Sequence, residues 1–291
     1  MNINKLVATA IIICAPFSAV AEPTSCYVGE LASHRPAVLE AVILLIDTSS
    51  DATAVKQNVL DVVKAIPDKH NRQVVVLSFA GHAAGESLKV EFESLIEPPT
   101  ADQQVIDNTV IKTFKAHQKC IREQHQQARQ GLLATMQRLL STMPVATARS
   151  EIAYALSSAL QSYALPGRNV ILLHLSDGLQ HAQGGRSFYG ANKQPRKIEP
   201  AIELRAFAKD AATAPRAKLP GTYISVLWWG MLAMPAPAKV TGKPVYLNTA
   251  TIGAFKEFWE QYARSIGADR VQIGTPNLLN PDLSIPAKQP M

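Results

Sequence analysis

Beyond its first residues, the chain lacks an apolar run that could cross a membrane. After residue 21 no segment approaches 18 uninterrupted apolar residues, whereas a spanning helix needs about 20. The chain also lacks a helix on which a Lys/Arg stripe alternates with aromatic residues, because its formal charge of +6 is spread thinly. These absences predict a mature chain with no transmembrane segment and no nucleic-acid partner.

The motifs of several enzyme classes are missing too. The sequence contains no H-E-x-x-H zinc motif, no G-x-x-x-x-G-K-[ST] phosphate loop and no G-x-S-x-G nucleophile elbow. Residues 185–190, GRSFYG, come nearest to the last motif, but the second glycine is one residue late and no strand precedes the serine. The sequence therefore gives no support to these three classes.

What the chain does have, at its start, is the residue order of a cleavable signal peptide. Lys5 precedes an apolar run over residues 6–15, and the small-residue pattern Ala19-Val20-Ala21 follows. We predict that residues 1–21 are removed by cleavage before Glu22, and that the mature protein is periplasmic or secreted in a bacterium. An uncleaved membrane anchor is the alternative, although the apolar run is short for that role.

Signal cleavage would leave two of the three cysteines. Cys14 follows three isoleucines, whereas a lipid-attachment site needs a small residue there, so a lipoprotein is disfavoured. Cys26 and Cys120 remain, and two cysteines in an oxidising compartment most often form one disulfide. The alternative is a metal site formed by His117, Cys120 and His125, although His125 falls off the helix face that the other two share.

Short apolar runs alternate with helical periodicity along most of the mature chain. Continuous runs predict strands buried on both faces of a parallel sheet, at residues 41–46, 72–80, 169–175 and 222–230. Residues 88–96 alternate as a half-exposed edge strand does. The segments between them predict helices, including one or two over 107–143 with a break near Gly131. We therefore predict an α/β fold with a doubly wound, mostly parallel sheet and helices on both faces.

The same pattern predicts the boundaries of the domain. We expect an N-terminal segment over residues 22–39, one α/β domain over residues 40–274, and a disordered tail over residues 275–291 that contains four prolines.

Two of the predicted strands end in turns that contain aspartate. The run 41–46 leads into Asp47-Thr48-Ser49-Ser50-Asp51, and the run 169–175 leads into Ser176-Asp177-Gly178. In open α/β sheets, ligands bind at the carboxyl ends of the strands where the winding direction reverses. These turns are therefore the predicted site.

At these residues the sequence resembles the von Willebrand factor type A family, over roughly residues 40–274. Members carry a D-x-S-x-S turn after the first strand, S-D-G after the fourth strand, and a threonine before an intervening helix. Asp47, Ser49 and Asp177 match this pattern, and Ser150 stands where members have threonine. The resemblance implies a metal-ion-dependent adhesion site for Mg²⁺ or Mn²⁺ with these four residues as ligands.

The departure from the family pattern is Asp51, where members have a second serine. A carboxylate also supplies the oxygen that Mg²⁺ prefers, so Asp51 is retained as a candidate ligand. The alternative is a structural remnant, in which Asp47 and Asp177 accept hydrogen bonds from loop N–H groups or cap helices.

The function that follows is an exported interaction module, of adhesion or envelope-assembly type, that binds another protein through this site and is not an enzyme. The rival hypothesis is a metal-assisted hydrolase in which Asp47 and Asp177 hold the ion and His181 moves protons. His174, inside an apolar strand, is interpreted as a core histidine. A positive bias in the loop after Asp177 could steer an acidic partner, through Arg186, Lys193, Arg196 and Lys197.

Overall fold

The computed structural model describes residues 24–80, 88–100, 102–144, 150–182, 187–190, 195–232 and 248–285. The predicted signal peptide lies outside these ranges. The strands are β1 (Glu40–Asp47), β2 (Arg72–Phe79), β3 (Lys89–Ile96), β4 (Asn169–Leu175), β5 (Ile224–Trp229) and β6 (Arg270–Ile273). The helices are α1 (Lys56–Ala65), α2 (Gln103–Asn108), α3 (Ile111–Thr142), α4 (Ile152–Tyr163), α5 (Pro200–Phe207) and α6 (Thr249–Ser265). Within these ranges, no helix combines the length and the hydrophobicity that a membrane crossing requires.

The described strands form one six-stranded sheet in the order β3-β2-β1-β4-β5-β6. All neighbouring strands run parallel except β2 and β3, so the α/β class and the mostly parallel sheet are confirmed. The predicted edge strand is β3. Because β1 and β4 are parallel neighbours and pair as far as Ile46 and Leu175, their two aspartate turns lie at the same edge of the sheet.

Alternate residues of each central strand enter two separate apolar clusters. On β1, Ile43 and Leu45 join a cluster that includes residues of α4 and α6, whereas Leu44 and Ile46 join one that includes residues of α1 and α3. Every residue over 41–46 is therefore buried. This two-sided burial is why the strand is apolar at every position rather than at every second one.

The predicted break near Gly131 was wrong, because the break falls at Thr109 and Val110, between α2 and α3. Helix α3 continues through Gly131 because that residue lies against β3. A Cβ atom added there would come 2.5 Å from Cε2 of Phe92. Glycine in a helix interior is about 1 kcal/mol less favourable than alanine, and here it allows the helix to approach the sheet closely.

We expect Gly131→Ala to destabilise the protein, although alanine is the better helix former. The added methyl would displace the Phe92 ring, and overpacking of this kind costs about 1–3 kcal/mol. Gly253→Ala, in α6, is the matched control, because nothing lies within 4 Å of its added Cβ, and it should stabilise by up to ~1 kcal/mol. Urea unfolding of both variants measures the difference. Equal stabilisation by the two would contradict the close approach of α3 and β3.

His174 is a buried histidine inside β4, with an exposed fraction of 0%. Its Nδ1 lies 3.0 Å from the carbonyl oxygen of Leu45, and its ring packs edge-on against Trp228. Its Nε2 has no hydrogen-bond partner among the described residues. Burial lowers the pKa of His174 to about 3, because the charged ring would lose its hydration there. This placement agrees with a core role.

The burial of His174 makes folding stability depend on pH. The unfolded chain protonates this residue near pH 6.5, its ordinary pKa, whereas the folded chain does so only near pH 3. The contribution of His174 to the free energy of unfolding is therefore fully present above about pH 6.5. It falls by about 1.4 kcal/mol per pH unit as the pH drops toward 3.

We expect His174→Asn, which keeps a donor for Leu45, to remove the contribution of His174 to the pH dependence of folding stability. Urea unfolding of both proteins between about pH 6 and about pH 4 should give slopes that differ by about 1.4 kcal/mol per pH unit. The cavity left by the smaller side chain lowers stability at every pH and does not affect the slope. Parallel slopes would show that the folded protein protonates His174 as readily as the unfolded chain does.

The N-terminal segment is fastened to β3 and α3. A disulfide joins Cys26 to Cys120, the two cysteines predicted to pair, with their Cα atoms 5.6 Å apart. Glu97, directly after β3, is buried and accepts hydrogen bonds from the Cys26 N–H at 2.7 Å and the Ser25 hydroxyl at 2.6 Å. It also pairs with Arg35 at 3.0 Å. The structure thus places a polar anchor beside the disulfide.

Residues 275–285 correct the prediction that the tail is disordered. Leu278 is buried in the same apolar cluster as α1 and α3. The guanidinium group of Arg270 donates to the carbonyl oxygen of Asp282 at 2.6 Å. The sequence did not predict these contacts, because single apolar residues between prolines form no periodic pattern. Residues 286–291 lie outside the described ranges.

Candidate functional site

Asp47 places a buried carboxylate at the carboxyl edge of the sheet, with an exposed fraction of 0%. Among the described residues it accepts five hydrogen bonds, one from the Ser49 N–H and four from serine hydroxyls. The hydroxyls of Ser150 and Ser176 each lie 2.8 Å from Oδ2, that of Ser50 lies 3.0 Å away, and that of Ser49 bonds to Oδ1. A buried carboxylate needs such donors, because it only accepts hydrogen bonds when ionised.

Three segments of the chain bring these serines together. Ser49 and Ser50 lie in the turn after β1, Ser176 follows β4, and Ser150 precedes α4. The parallel pairing of β1 with β4 places both turns side by side. Ser50 and Ser176 were not predicted to contribute, although each stands next to a predicted site residue in sequence.

Asp177 lies beside Asp47 and bonds to the backbone of its own loop. Its Oδ1 accepts the Leu179 N–H at 2.8 Å, and its own N–H donates to the Ser50 hydroxyl at 2.9 Å. Burial is the main cause that raises the pKa of Asp177, and the charge of Asp47 is the second; together they bring it to about 7. The two neighbouring carboxylates therefore repel each other, and a cation between them would relieve that repulsion.

Ser150 precedes α4 but does not cap it. Its hydroxyl donates to Asp47, and the cap residue of α4 is Glu151, which makes no side-chain cap bond. The Oε1 of Gln180 instead accepts the N–H of Ala153 at 3.0 Å. A single glutamine in a loop gives no sequence signal for this role, because the helix it serves begins 28 residues earlier, at Ile152.

Asp51, the departure from the family pattern, is held by its own turn. Its Oδ1 accepts the N–H of Thr53 at 2.8 Å in an exposed position, an arrangement typical of aspartate in turns. The structure thus links Asp47, Ser49 and Ser150 by direct hydrogen bonds and Asp177 through Ser50.

Two buried indoles hold the loop after β4. Nε1 of Trp228 donates to the carbonyl oxygen of Ser176 at 2.8 Å, and Nε1 of Trp259 donates to that of Gly178 at 2.9 Å. Gly178 has a φ of +75°, which favours glycine at the third position of the S-D-G turn. Trp229 is buried as well. Its indole donates to Asn58 of α1, so it is Trp228 and Trp259 that hold the loop carrying Asp177.

A small antiparallel ribbon covers one side of the site. Isolated bridges pair Ser150 with His181, His181 with Ser187, and Tyr189 with Pro195. Nδ1 of His181 lies 2.8 Å from the Ser187 hydroxyl. We call residues 150, 181, 187–189 and 195 the bridge ribbon.

The structure describes only two of the four basic residues that were predicted to give the loop after Asp177 a positive bias. Arg196 forms an ion pair with Glu203 at 2.8 Å, and Lys197 is exposed. Arg186 and Lys193 lie outside the described residues.

The alternative metal site at His117, Cys120 and His125 is not formed in the structure. Cys120 is in the disulfide, Nδ1 of His117 lies 3.0 Å from the Cys26 carbonyl oxygen, and Nε2 of His125 lies 2.7 Å from the Glu97 carbonyl oxygen. Across the described ranges, no group of three or more His, Cys, Asp or Glu side chains could hold a metal ion.

The donor set around Asp47 fits Mg²⁺ or Mn²⁺ in its chemistry. Hydroxyl and carboxylate oxygens are the hard ligands that these ions prefer. Ser49 and Ser150 donate their protons to Asp47, so their oxygen lone pairs can face a cation. Asp177 supplies a second carboxylate whose charge burial disfavours.

In EDTA, we expect Asp47→Ala to destabilise the protein by roughly 1–3 kcal/mol or more, because each buried hydroxyl left without its acceptor carries a penalty of about that size. Relief of the repulsion with Asp177 offsets only part of this loss. Asp51→Ala, whose carboxylate bonds to Thr53 in an exposed turn, is the control and should change stability by no more than ~0.5 kcal/mol. Thermal unfolding compares the two. Wild-type stability of Asp47→Ala would mean that the serines do not depend on this acceptor.

Comparisons with known proteins give little similarity. No protein-family model matches the sequence, and no curated protein matches it. Among solved structures, the chain is similar to the human COPII-coat protein Sec24c, with 12% sequence identity and a TM-score of 0.33 over 68% of this chain. The matched region spans 27% of the length of that coat-protein chain.

Proposed function

We propose that the mature chain is an exported interaction module of the von Willebrand factor type A kind, of adhesion or envelope-assembly type. In this proposal, residues 40–274 form one doubly wound domain that binds an envelope or secreted protein at the carboxyl edge of its sheet. A Mg²⁺ or Mn²⁺ ion held by Asp47, Ser49, Ser150 and Asp177 would take part in that binding.

The observation that carries the proposal is the convergence of these residues from distant parts of the chain. Asp47 and Ser150 are 103 positions apart in sequence, yet their side chains bond at 2.8 Å. Asp177 joins them through the Ser50 hydroxyl. Asp47, Ser49 and Asp177 match the family's ion site, and Ser150 stands where members have threonine. Asp47, Ser150 and Asp177 are buried.

Each residue has a separate role in this proposal. Asp47 and Asp177 attract the cation by charge, and Asp47 also orients the hydroxyls of Ser49 and Ser150 by accepting their protons. The bound ion would supply the positive charge that allows an acidic group of the partner to approach two carboxylates. Asp51 has a lesser role, because Thr53 already occupies one of its oxygens.

We expect Mg²⁺ or Mn²⁺ to raise the melting temperature of the mature protein relative to EDTA. An ion that binds only the folded state stabilises it by about 2.7 kcal/mol at 100 times its dissociation constant. Asp47→Ala should lose this gain, and Asp51→Ala should retain most of it. Melting series for the three proteins measure the effect.

Two outcomes of the melting series would count against the site. An ion effect that survives Asp47→Ala would place the cation elsewhere. No ion effect in the wild type would leave Asp47 as a structural hydrogen-bond hub.

A metal-assisted hydrolase is the second candidate, and one contact favours it. Nδ1 of His181 lies 2.8 Å from the Ser187 hydroxyl, which pairs a base with a hydroxyl beside the site. The same hydroxyl also accepts the N–H of Tyr189 at 3.1 Å, as a serine in a turn does. Hydrolysis of a nitrophenyl ester in Mn²⁺ that disappears in Ser187→Ala would favour this candidate over the interaction module.

A further inference from the structure

One face of the bridge ribbon is joined to the Asp47 cluster. The backbones of Ser150 and His181 exchange both hydrogen bonds, at 3.1 and 2.7 Å. Side chains of residues paired in this way project from the same face of a ribbon, about 5 Å apart. The Ser150 hydroxyl bonds to Asp47, so His181 projects on the side of the candidate ion site.

The next part of the ribbon places Tyr189 on that face. Phe188 is fully buried among the aromatic rings of α5 and α6. Its neighbours Ser187 and Tyr189 therefore project the opposite way, as alternate residues of an extended segment do. The rings of Tyr189 and His181 lie edge-to-face with their centroids 5.5 Å apart. Tyr189 is thus half-buried, and its side chain lines one side of the site.

The Tyr189 hydroxyl is a donor on which the charges of two acids act. Burial, followed by the charges of Asp177 and Asp47, raises the pKa of Tyr189, so the hydroxyl stays protonated at physiological pH. Within the described residues it makes no hydrogen bond, whereas the backbone N–H of the same residue bonds to Ser187. Because no acceptor within the described part of the chain bonds to this half-buried hydroxyl, it can donate to an incoming group.

We infer that the Tyr189 hydroxyl is a specificity-determining donor, which bonds to the carboxylate of an acidic side chain that the partner presents. The inference rests on the proposed function. An approaching carboxylate meets the negative charges of Asp47 and Asp177, so it needs donors in addition to a cation. A hydrogen bond to a charged group strengthens binding by about tenfold or more, and Tyr189 provides such a bond independently of the ion.

The test uses acetate as the probe, with the full mature chain loaded with Mn²⁺. Paramagnetic broadening of the acetate methyl proton signal reports acetate close to the ion, and a Mn²⁺ titration reports the ion itself. We expect Tyr189→Phe to weaken acetate binding about tenfold, the change expected from one bond to a charged group. Its affinity for Mn²⁺ should be unchanged.

The matched control is Tyr223→Phe, at the amino end of β5, on the opposite edge of the sheet from Asp47. It loses the same hydroxyl and should leave acetate binding unchanged. If Mn²⁺ binds the wild type but acetate does not, or if Tyr189→Phe binds acetate as the wild type does, the inference is overturned and the ion site stands. If Mn²⁺ itself does not bind, the proposed function fails, and the inference fails with it.

Discussion

A carboxylate enclosed by protein is unfavourable unless hydrogen-bond donors surround it, and Asp47 imposes this requirement where the two central strands end. The hydroxyls that meet it come from the turn after β1, from the residue after β4 and from the second residue before α4. Each segment is thereby held in one position relative to the others. The arrangement of the candidate site follows from the need to satisfy this one side chain.

A second buried acid has the same role at the opposite edge of the sheet. Glu97 follows β3, whose last residue, Ile96, pairs with the first residue of β2. Its carboxylate accepts bonds from Ser25 and from the Cys26 backbone, and Gln124 of α3 donates to it at 3.2 Å. The disulfide adds a covalent link to the same helix. The N-terminal segment thus has its own anchor, separate from the Asp47 cluster.

The sequence predicted what depends on local pattern. The unbroken apolar runs of β1 and β4 follow from burial on both faces, and the aspartate turns follow directly after them. The edge position of β3 was readable from its alternation. These features need no knowledge of distant contacts.

Features that depend on contacts between distant residues could not be predicted in this way. Glu97 resembles any charged residue before a proline pair, and only the folded chain shows Cys26 at its carboxylate. The continuity of α3 at Gly131 depends on Phe92, 39 positions earlier in the chain. Gln180 caps α4 only because the bridge ribbon brings the two together.

The burial of both His174 and Asp177 has a consequence for proton binding on unfolding. Between about pH 4 and about pH 6.5, unfolding lets His174 take up a proton, because its pKa is lowered to about 3 in the folded chain. Over the same interval unfolding makes Asp177 release one, because its pKa is raised to about 7 from its usual 3.8. The uptake and the release oppose each other, so these two groups together leave the net proton exchange of unfolding close to zero. Replacement of either residue alone would leave the proton exchange of the other residue uncompensated.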